Sequence, residues 1–218
     1  MNRIILIEIA ISLTLGVFLA PGGIGVYAAT TNSDLTSKDA GASETEIGDL
    51  VADAIRAQVK ADIGLITASE LKEVTIPKGD VSASGVVAAL SFQIDPIVVL
   101  NLRGDQIRRA LERSVVIYPQ KNAGFLQVSG LTFIFDPRKP RESRVVSVTV
   151  GGKPLDPART YSVGVTSSLG NGAVGYFLVW GKDQITSVTK TGLSQAVANF
   201  LQGDRKLDYK RDRITVLK

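Results

Sequence analysis

The sequence contains no histidine and no cysteine among its 218 residues. The absence of histidine excludes Ser-His-Asp and Cys-His nucleophilic sites and every metal site that needs an imidazole ligand. It also excludes a two-metal phosphatase centre built from clustered His, Asp and Asn ligands. The absence of cysteine excludes disulfides, thiolate metal sites and a lipoprotein anchor. We therefore predict no catalytic residue, no metal site and no cofactor for this chain.

Two kinds of catalytic site need no histidine, namely a Ser-Lys pair and a pair of acidic side chains. The acids nearest to predicted turns are Glu70, Glu73, Asp80 and Asp95. Because acidic side chains are usually exposed, we interpret all four as solvated loop residues. A free-standing hydrolase would require a carboxylate or Ser-Lys site that this interpretation does not provide.

The excess of positive charge is small. The formal net charge is +4, from 25 Lys and Arg against 21 Asp and Glu. The two signs are interspersed, as in the segments 108–113 and 206–212. This distribution is typical of a solvated surface and not of a nucleic-acid-binding stripe, so we expect no nucleic-acid partner.

The first 28 residues have the layout of a secretory signal peptide. A single early cation, Arg3, precedes an apolar run over residues 4–20 and a Pro-Gly-Gly break. The small residues Val26 and Ala28 predict cleavage after Ala28, with Ala29 as the neighbouring alternative. We therefore predict a secreted or periplasmic protein.

An uncleaved membrane anchor is the alternative interpretation of the same segment. A helix that spans a bilayer needs about 20 apolar residues, and Glu8 lies inside this run. We therefore expect no stable membrane anchor after cleavage.

Composition and periodicity divide the rest of the chain. Residues 29–43 are rich in Thr, Ser, Asp, Ala and Gly, which predicts a flexible linker. Residues 44–218 are enough for one domain. Ser43 and Glu46 form a capping box before an amphipathic helix, and the apolar positions of that helix are Ile47, Leu50, Val51, Ala54 and Ile55.

Helices and strands alternate along the predicted domain. Strands are predicted at 63–66 and 97–102, and a helix starts at Gly104. The segments 131–135, 145–150 and 161–165 read as a group of antiparallel strands. A helix over 193–201 and a strand over 214–217 follow. This order predicts an α+β fold with helices packed on a mixed β-sheet.

Several segments, in one order, resemble the C-terminal domain of the 5′-nucleotidase family. They are Glu46-Ile47-Gly48-Asp49-Leu50-Val51, Pro77-Lys78-Gly79-Asp80-Val81, Leu90-Ser91-Phe92, Leu102-Arg103-Gly104-Asp105, Ala110-Leu111-Glu112-Arg113-Ser114, Gly124-Phe125-Leu126-Gln127-Val128-Ser129-Gly130 and Phe135-Asp136-Pro137. The resemblance covers nearly all of residues 44–218 and implies a 5′-nucleotidase C-terminal domain-like fold.

In that family the C-terminal domain binds the substrate, and a separate N-terminal metallophosphatase domain carries the metals. Residues 44–218 have no counterpart of that second domain. The family holds the nucleobase between two aromatic rings, to which Phe125 and Tyr176 correspond. The resemblance therefore implies a ligand-binding role for Phe125 and Tyr176. Without it, both rings would be interpreted as ordinary packing residues.

The polar part of the family's pocket is altered here. An Asn-x-Gly-Gly-x-Arg loop corresponds to residues 67–72, where Thr67 replaces the Asn and Lys72 replaces the Arg. Lysine keeps a positive charge but lacks the planar fork that arginine offers to a phosphate. Val174 replaces an Asp of a Gly-Gly-Asp-Gly segment. Thr67 and Lys72 are the remaining candidate ligand-binding residues.

Three functions remain open at this stage. The first is an exported nucleoside- or nucleotide-binding module that has no catalytic metal centre and can complement a separate metallophosphatase chain in nucleotide catabolism. The second is a non-catalytic structural or interaction protein of the cell envelope. The third is the free-standing hydrolase considered above.

Overall fold

The structure, a computed structural model, describes residues 29–218. The predicted signal peptide, residues 1–28, lies outside the described residues. Within residues 29–218, no helix has the length and apolarity that crossing a membrane demands.

The helices of the described part are short apart from the first. They are α1 (Glu46–Val59), α2 (Ala83–Val87), α3 (Gly104–Ser114), α4 (Ser167–Gly170) and α5 (Leu193–Phe200), with 3-10 turns at Ala68–Glu70, Ala173–Leu178 and Lys182–Gln184. The strands are β1 (Ala29–Thr31), β2 (Leu35–Thr36), β3 (Ile63–Thr67), β4 (Thr75–Ile76), β5 (Gly79–Val81), β6 (Pro96–Arg103), β7 (Leu126–Ser129), β8 (Leu131–Phe135), β9 (Val145–Val150), β10 (Lys153–Pro154), β11 (Thr160–Thr166), β12 (Ile185–Gly192), β13 (Lys206–Leu207) and β14 (Ile214–Val216).

A five-stranded mixed sheet in the order β12-β6-β11-β3-β7 forms the centre of the domain. β11 is parallel to β3, and the other pairs are antiparallel. A four-stranded sheet, β10-β9-β8-β14, follows it, with β14 parallel to β8. Smaller sheets, β13-β1-β5 and β2-β4, complete the strands. The predicted α+β fold with helices on a mixed sheet is confirmed.

The hydrophobic core lies on both faces of the central sheet, because side chains alternate along each strand. On one face Leu65 packs in a cluster with α3, and on the other Ile66 packs in a cluster with α1 and α5. All five apolar positions predicted for the first helix are buried. The helix can approach β3 closely because Gly64 has no side chain: a Cβ there would lie 2.7 Å from the Cβ of Arg56.

The predicted helix start is displaced by two residues. Thr45, not Ser43, caps α1: its backbone is extended and its Oγ1 accepts a hydrogen bond from the amide of Gly48 at 3.2 Å. Ser43 instead donates through its Oγ to the carbonyl of Asp39 at 3.2 Å. Both residues can cap a helix, and sequence alone did not separate them.

Residues 29–43 are part of the fold, which differs from the flexible linker predicted for them. β1 pairs with both β13 and β5, and β2 pairs with β4. Ala29 and Leu35 are fully buried. Backbone hydrogen bonds also hold the segment, such as the one from the amide of Thr30 to the carbonyl of Arg205 at 2.7 Å, and amino-acid composition does not reveal such bonds.

The strand predicted at 161–165 belongs to a different sheet from the one expected. The predicted group of antiparallel strands is correct for β8 and β9, which pair with each other. β11, however, pairs with β6 and β3 in the central sheet. The choice of partner is a long-range property that a local pattern of alternation does not encode.

The central sheet has two ends, which we name by one residue each. At the Thr67 end, β3 and β11 finish and β6 and β7 begin; at the Ser129 end, β7 finishes and β3 begins. These two ends carry different sets of side chains and are described separately below.

Candidate functional site

The structure brings Thr67, Phe125 and Tyr176 to the same end of the central sheet. Thr67 is the last residue of β3 and pairs with Leu126, the residue after Phe125. Tyr176 lies in the 3-10 turn that follows α4, and its hydroxyl donates to the carbonyl of Gly124 at 2.7 Å. Lys72 follows the same loop with an exposed side chain.

Both aromatic rings of the expected base clamp are buried. The exposed fraction is 1% for Phe125 and 0% for Tyr176. Tyr176 stacks on Trp180, with ring centroids 4.8 Å apart. Burial raises the pKa of the Tyr176 phenol well above its usual range. The rings therefore pack as core side chains in this structure, and they do not present the open clamp expected from the resemblance.

Arg113 also lies against the ring of Tyr176. Its guanidinium carbon lies 5.6 Å from the ring centroid, and its Nε donates to the carbonyl of Val174 at 3.2 Å. Val174 and Gly175 have φ values of 47° and 86°, in the left-handed region. The turn thus directs its carbonyl to Arg113 and its next side chain, Tyr176, into the core. The helical pattern of the sequence contains no signal of this contact.

Glu70 is buried, which corrects its interpretation as a solvated loop residue. Its carboxylate accepts hydrogen bonds from the amide of Thr67 at 2.9 Å, from the Thr67 hydroxyl at 2.7 Å and from the Thr166 hydroxyl. Burial raises the pKa of Glu70, and the hydrogen bonds from Thr166 and Thr67 oppose that shift. Glu73 and Asp80 are exposed, as expected.

The polar side chains of the loop that replaces the family's Asn-x-Gly-Gly-x-Arg segment therefore find their hydrogen-bond partners within the protein. Thr67 also bonds Ser69 through their hydroxyls at 3.0 Å. Glu70 stands where the family has a glycine, and its side chain connects the ends of β3 and β11. These polar groups bind one another, so they are not directed at a ligand in this structure.

Two cavities open at the Thr67 end, and neither is lined by Phe125 or Tyr176. One, of about 280 Å³, lies between the loop at 68–73 and the segments 37–41 and 121–123. Lys121 bridges Asp39 at 2.9 Å and Glu73 at 3.1 Å across it.

The other cavity, of about 580 Å³, is lined by residues 91–96 and Ser168. The amide of Ser168 donates to Asp95 at 3.0 Å, so the two walls of this cavity are tied together. Within residues 29–218, no three His, Cys, Asp or Glu side chains group in a way that could hold a metal ion.

Large apolar side chains are exposed at this same end. The exposed fractions are 53% for Phe92, 88% for Ile94, 68% for Phe177 and 67% for Leu178. Phe92 and Ile94 precede β6, and Phe177 directly follows the buried Tyr176. Sequence reasoning missed Phe177 because the motif assigned the aromatic position to its neighbour.

Comparison with known proteins agrees with this fold. The family model "5′-nucleotidase, C-terminal domain" matches residues 23–179. The chain belongs to this family. A 5′-nucleotidase precursor from Thermus thermophilus superimposes with a TM-score of 0.78 and 29% identity, covering 88% of this chain and 39% of that one.

Sequence comparison with curated proteins also finds members of this family. Protein UshA of Salmonella pullorum is 23% identical over 167 residues, which is 76% of this chain and 28% of the relative. A snake venom 5′-nucleotidase of Macrovipera lebetinus is 31% identical over 130 residues, 56% of this chain and 28% of the relative. The chain thus spans less than a third of the length of these relatives.

Proposed function

We propose that this chain is an exported 5′-nucleotidase C-terminal-type domain that does not hydrolyse nucleotides alone and that docks onto a metallophosphatase unit acting in nucleotide catabolism. The observation that carries the proposal is the contrast at the Thr67 end. The family's base-binding aromatics are packed in the core, while Phe92, Ile94 and Phe177 are exposed beside them.

A metallophosphatase unit is the occupant that fits this surface. The matched relatives are more than twice as long as the matched region, so in them this domain is joined to a larger partner. The resemblance places the metals of the family in that partner. A substrate held by one domain and cleaved by the other must lie where the two meet, which is the ligand-binding end. Exposed apolar side chains clustered at one end of a domain are typical of such an interface.

Export is supported by the layout of residues 1–28, with its early cation, apolar run and Val26-Tyr27-Ala28 site. A venom 5′-nucleotidase among the relatives is consistent with a family that acts outside the cytoplasm.

Nucleoside binding by the chain itself is the second candidate. It is supported by the aromatic residues at both family positions and by the shared location of Phe125 and Tyr176. Binding would require Tyr176 to leave the core, and the family's Asn, Arg and Asp are replaced. We therefore expect an affinity for adenosine no tighter than the millimolar range, about −4 kcal/mol, and no gain from a phosphate group.

Site-specific photo-crosslinking tests the docking proposal in the host envelope. A photoreactive amino acid at Phe92 or Phe177 is expected to capture a chain with the His, Asp and Asn ligands of a metallophosphatase, identified by mass spectrometry. Val146, which is 41% exposed on β9 of the four-stranded sheet, is the matched control position. Capture of another class of protein, or equal capture at position 146, would overturn the proposal.

A further inference from the structure

A cavity at the Ser129 end has no role in the proposed function. Its volume is about 710 Å³, and it lies between α1, the β8–β9 strands and the C-terminal segment. Its lining includes Arg56, Ser129, Phe200 and the paired side chains of Asp53 and Arg213. Because β7 runs from one end of the sheet to the other, this cavity is separate from the Thr67 end.

One positive side chain on the lining of this cavity, Arg56, has no acidic partner among the described residues. Arg213 binds both oxygens of Asp53 at 2.9 Å, so these two groups neutralise each other. Arg56 is exposed. Within residues 29–218, its guanidinium donates one hydrogen bond, from Nε to the carbonyl of Asp62 at 3.2 Å. Asp212 is the opposing acid on the lining.

Arg205 is a second cation near the cavity, next to the lining residue Phe200. The guanidinium carbon of Arg205 lies 4.4 Å from the ring centroid of Phe200. An adjoining depression of about 150 Å³ is lined by Ala57, Phe200 and Arg205, and it shares Ala57 and Phe200 with the cavity. Arg56 and Arg205 together outnumber Asp212, so the combined groove favours an anion.

Ser129 provides an independent sign of a missing partner. Its side chain is fully buried, and its Oγ has no hydrogen-bond partner within residues 29–218. Side chains alternate along β7, and Gln127 bonds the amide of Thr45 at the start of α1, so Ser129 lies on the α1 face. A buried hydroxyl without a partner destabilises the fold, and such groups in native proteins are normally satisfied by water or a ligand.

We propose that this cavity binds a small, hydroxyl-rich anion, namely a sugar that carries one carboxylate or phosphate group. Arg56 has free N–H donors of its guanidinium fork for the anionic group. The Ser129 hydroxyl offers a partner for a sugar hydroxyl. The lining hydroxyls of Thr132 and Thr149 bond each other at 2.7 Å and keep acceptor lone pairs for a second sugar hydroxyl. Phe200 lines the cavity and offers apolar surface to the C–H groups of the sugar ring.

Saturation-transfer NMR with the purified chain tests this site. The probes are glucuronate, glucose 6-phosphate, inorganic phosphate and glucose. We expect saturation transfer to at least one of the two sugar anions and weaker transfer to glucose, and the comparison of glucuronate with glucose 6-phosphate identifies the anionic group. Competition by inorganic phosphate at the same concentration as glucose 6-phosphate would show that the sugar contributes nothing.

Two substitutions and a control localise the binding. Arg56→Gln is expected to raise the Kd of the bound probe at least about tenfold, whereas Arg109→Gln, an exposed arginine on α3, leaves it unchanged. Ser129→Ala is expected to weaken binding while leaving thermal stability equal or higher, because an unsatisfied hydroxyl is removed. No binding of either sugar anion at millimolar concentration, or equal effects of Arg56→Gln and Arg109→Gln, would overturn the proposal.

Discussion

The Tyr176 hydroxyl holds its ring in the core through one hydrogen bond to the carbonyl of Gly124. Tyr176→Phe leaves that buried carbonyl without its partner, so we expect the free energy of unfolding to fall by about 1–3 kcal/mol. Tyr118→Phe is the matched control, because Tyr118 packs edge-on against Phe135 and is only partly buried. Chemical denaturation of both variants gives the comparison. Equal effects would show that the Tyr176 hydroxyl does not fix the ring.

Asp49 makes stability depend on pH. Burial raises the pKa of its carboxyl from 3.8 to about 9; the positive charge of Arg213 opposes this shift, and the negative charge of the nearby Glu44 adds to it. An acid with a raised folded-state pKa binds its proton more tightly when folded. Its contribution is therefore fully present below the unfolded pKa and is lost as pH rises towards about 9.

Asp49→Asn tests this dependence, because asparagine has no proton to lose. At pH 9 we expect the variant to be more stable than the wild type by about 1–3 kcal/mol, and at pH 4 the advantage disappears. Urea denaturation across this pH range measures the difference. Asp204→Asn, at an exposed position, should show no such trend. A constant difference between the Asp49 variant and the wild type would contradict the buried-proton account.

Sequence reasoning brought the candidate binding residues together but did not give their conformation. The order of motifs assigned Thr67, Phe125 and Tyr176 to one site, and the structure places all three at one end of the sheet. The resemblance predicted exposed rings, and their burial agrees with the alternative interpretation as packing residues; which of the two holds depends on contacts between distant segments. Arg113, 61 residues before Val174, fixes the turn that directs Tyr176 inwards.

At the level of elements, prediction succeeded where a local pattern decides the structure. α1 carries a strong helical apolar periodicity and β6 a run of β-branched and apolar residues, and both were located within a few residues. β1 and β2 were missed, because they span three and two residues and are held by partners far along the chain. Such short strands have too few side chains to show alternation.

The strand β2 provides a direct test of whether residues 29–43 belong to the domain. Leu35 is fully buried in the cluster that contains α1 and α5. We expect Leu35→Ala to lower the free energy of unfolding by about 2–5 kcal/mol. Leu217→Ala, at a residue that is 36% exposed, should change it by less than about 0.5 kcal/mol. If the two substitutions have similar small effects, the flexible-linker prediction is the better description.

At the scale of the whole molecule, the two proposed binding roles lie at opposite ends of the central sheet. The Thr67 end combines the buried rings of Phe125 and Tyr176 with exposed apolar side chains, which suits a protein partner. The Ser129 end combines a cavity, available cations and a buried hydroxyl without a partner among the described residues, which suits a small anion. Substitutions at one end should therefore leave binding at the other unchanged, since the sites share no residue.

The proposed export predicts the mass of the mature chain. Cleavage after Ala28 removes Arg3, Glu8 and the apolar run but leaves β1, which begins at Ala29, intact. Intact-mass spectrometry of envelope and medium fractions is expected to find a chain that starts at Ala29 or Thr30. Recovery of the full-length chain from the cytosol would contradict export.

The chain alone is expected to show no metal-dependent hydrolysis of nucleotides. A two-metal phosphatase centre needs imidazole and carboxylate ligands that converge on the metals, and this sequence has no histidine. AMP and UDP-glucose, with Mn²⁺, Co²⁺ or Zn²⁺ added, should therefore be turned over no faster than in buffer. Adding the metallophosphatase captured through Phe92 should produce or raise activity, and Phe92→Asp should reduce that gain while Val146→Asp does not. A metal-dependent rate that stays with the chain through repeated purification would instead show that it carries a catalytic site of its own.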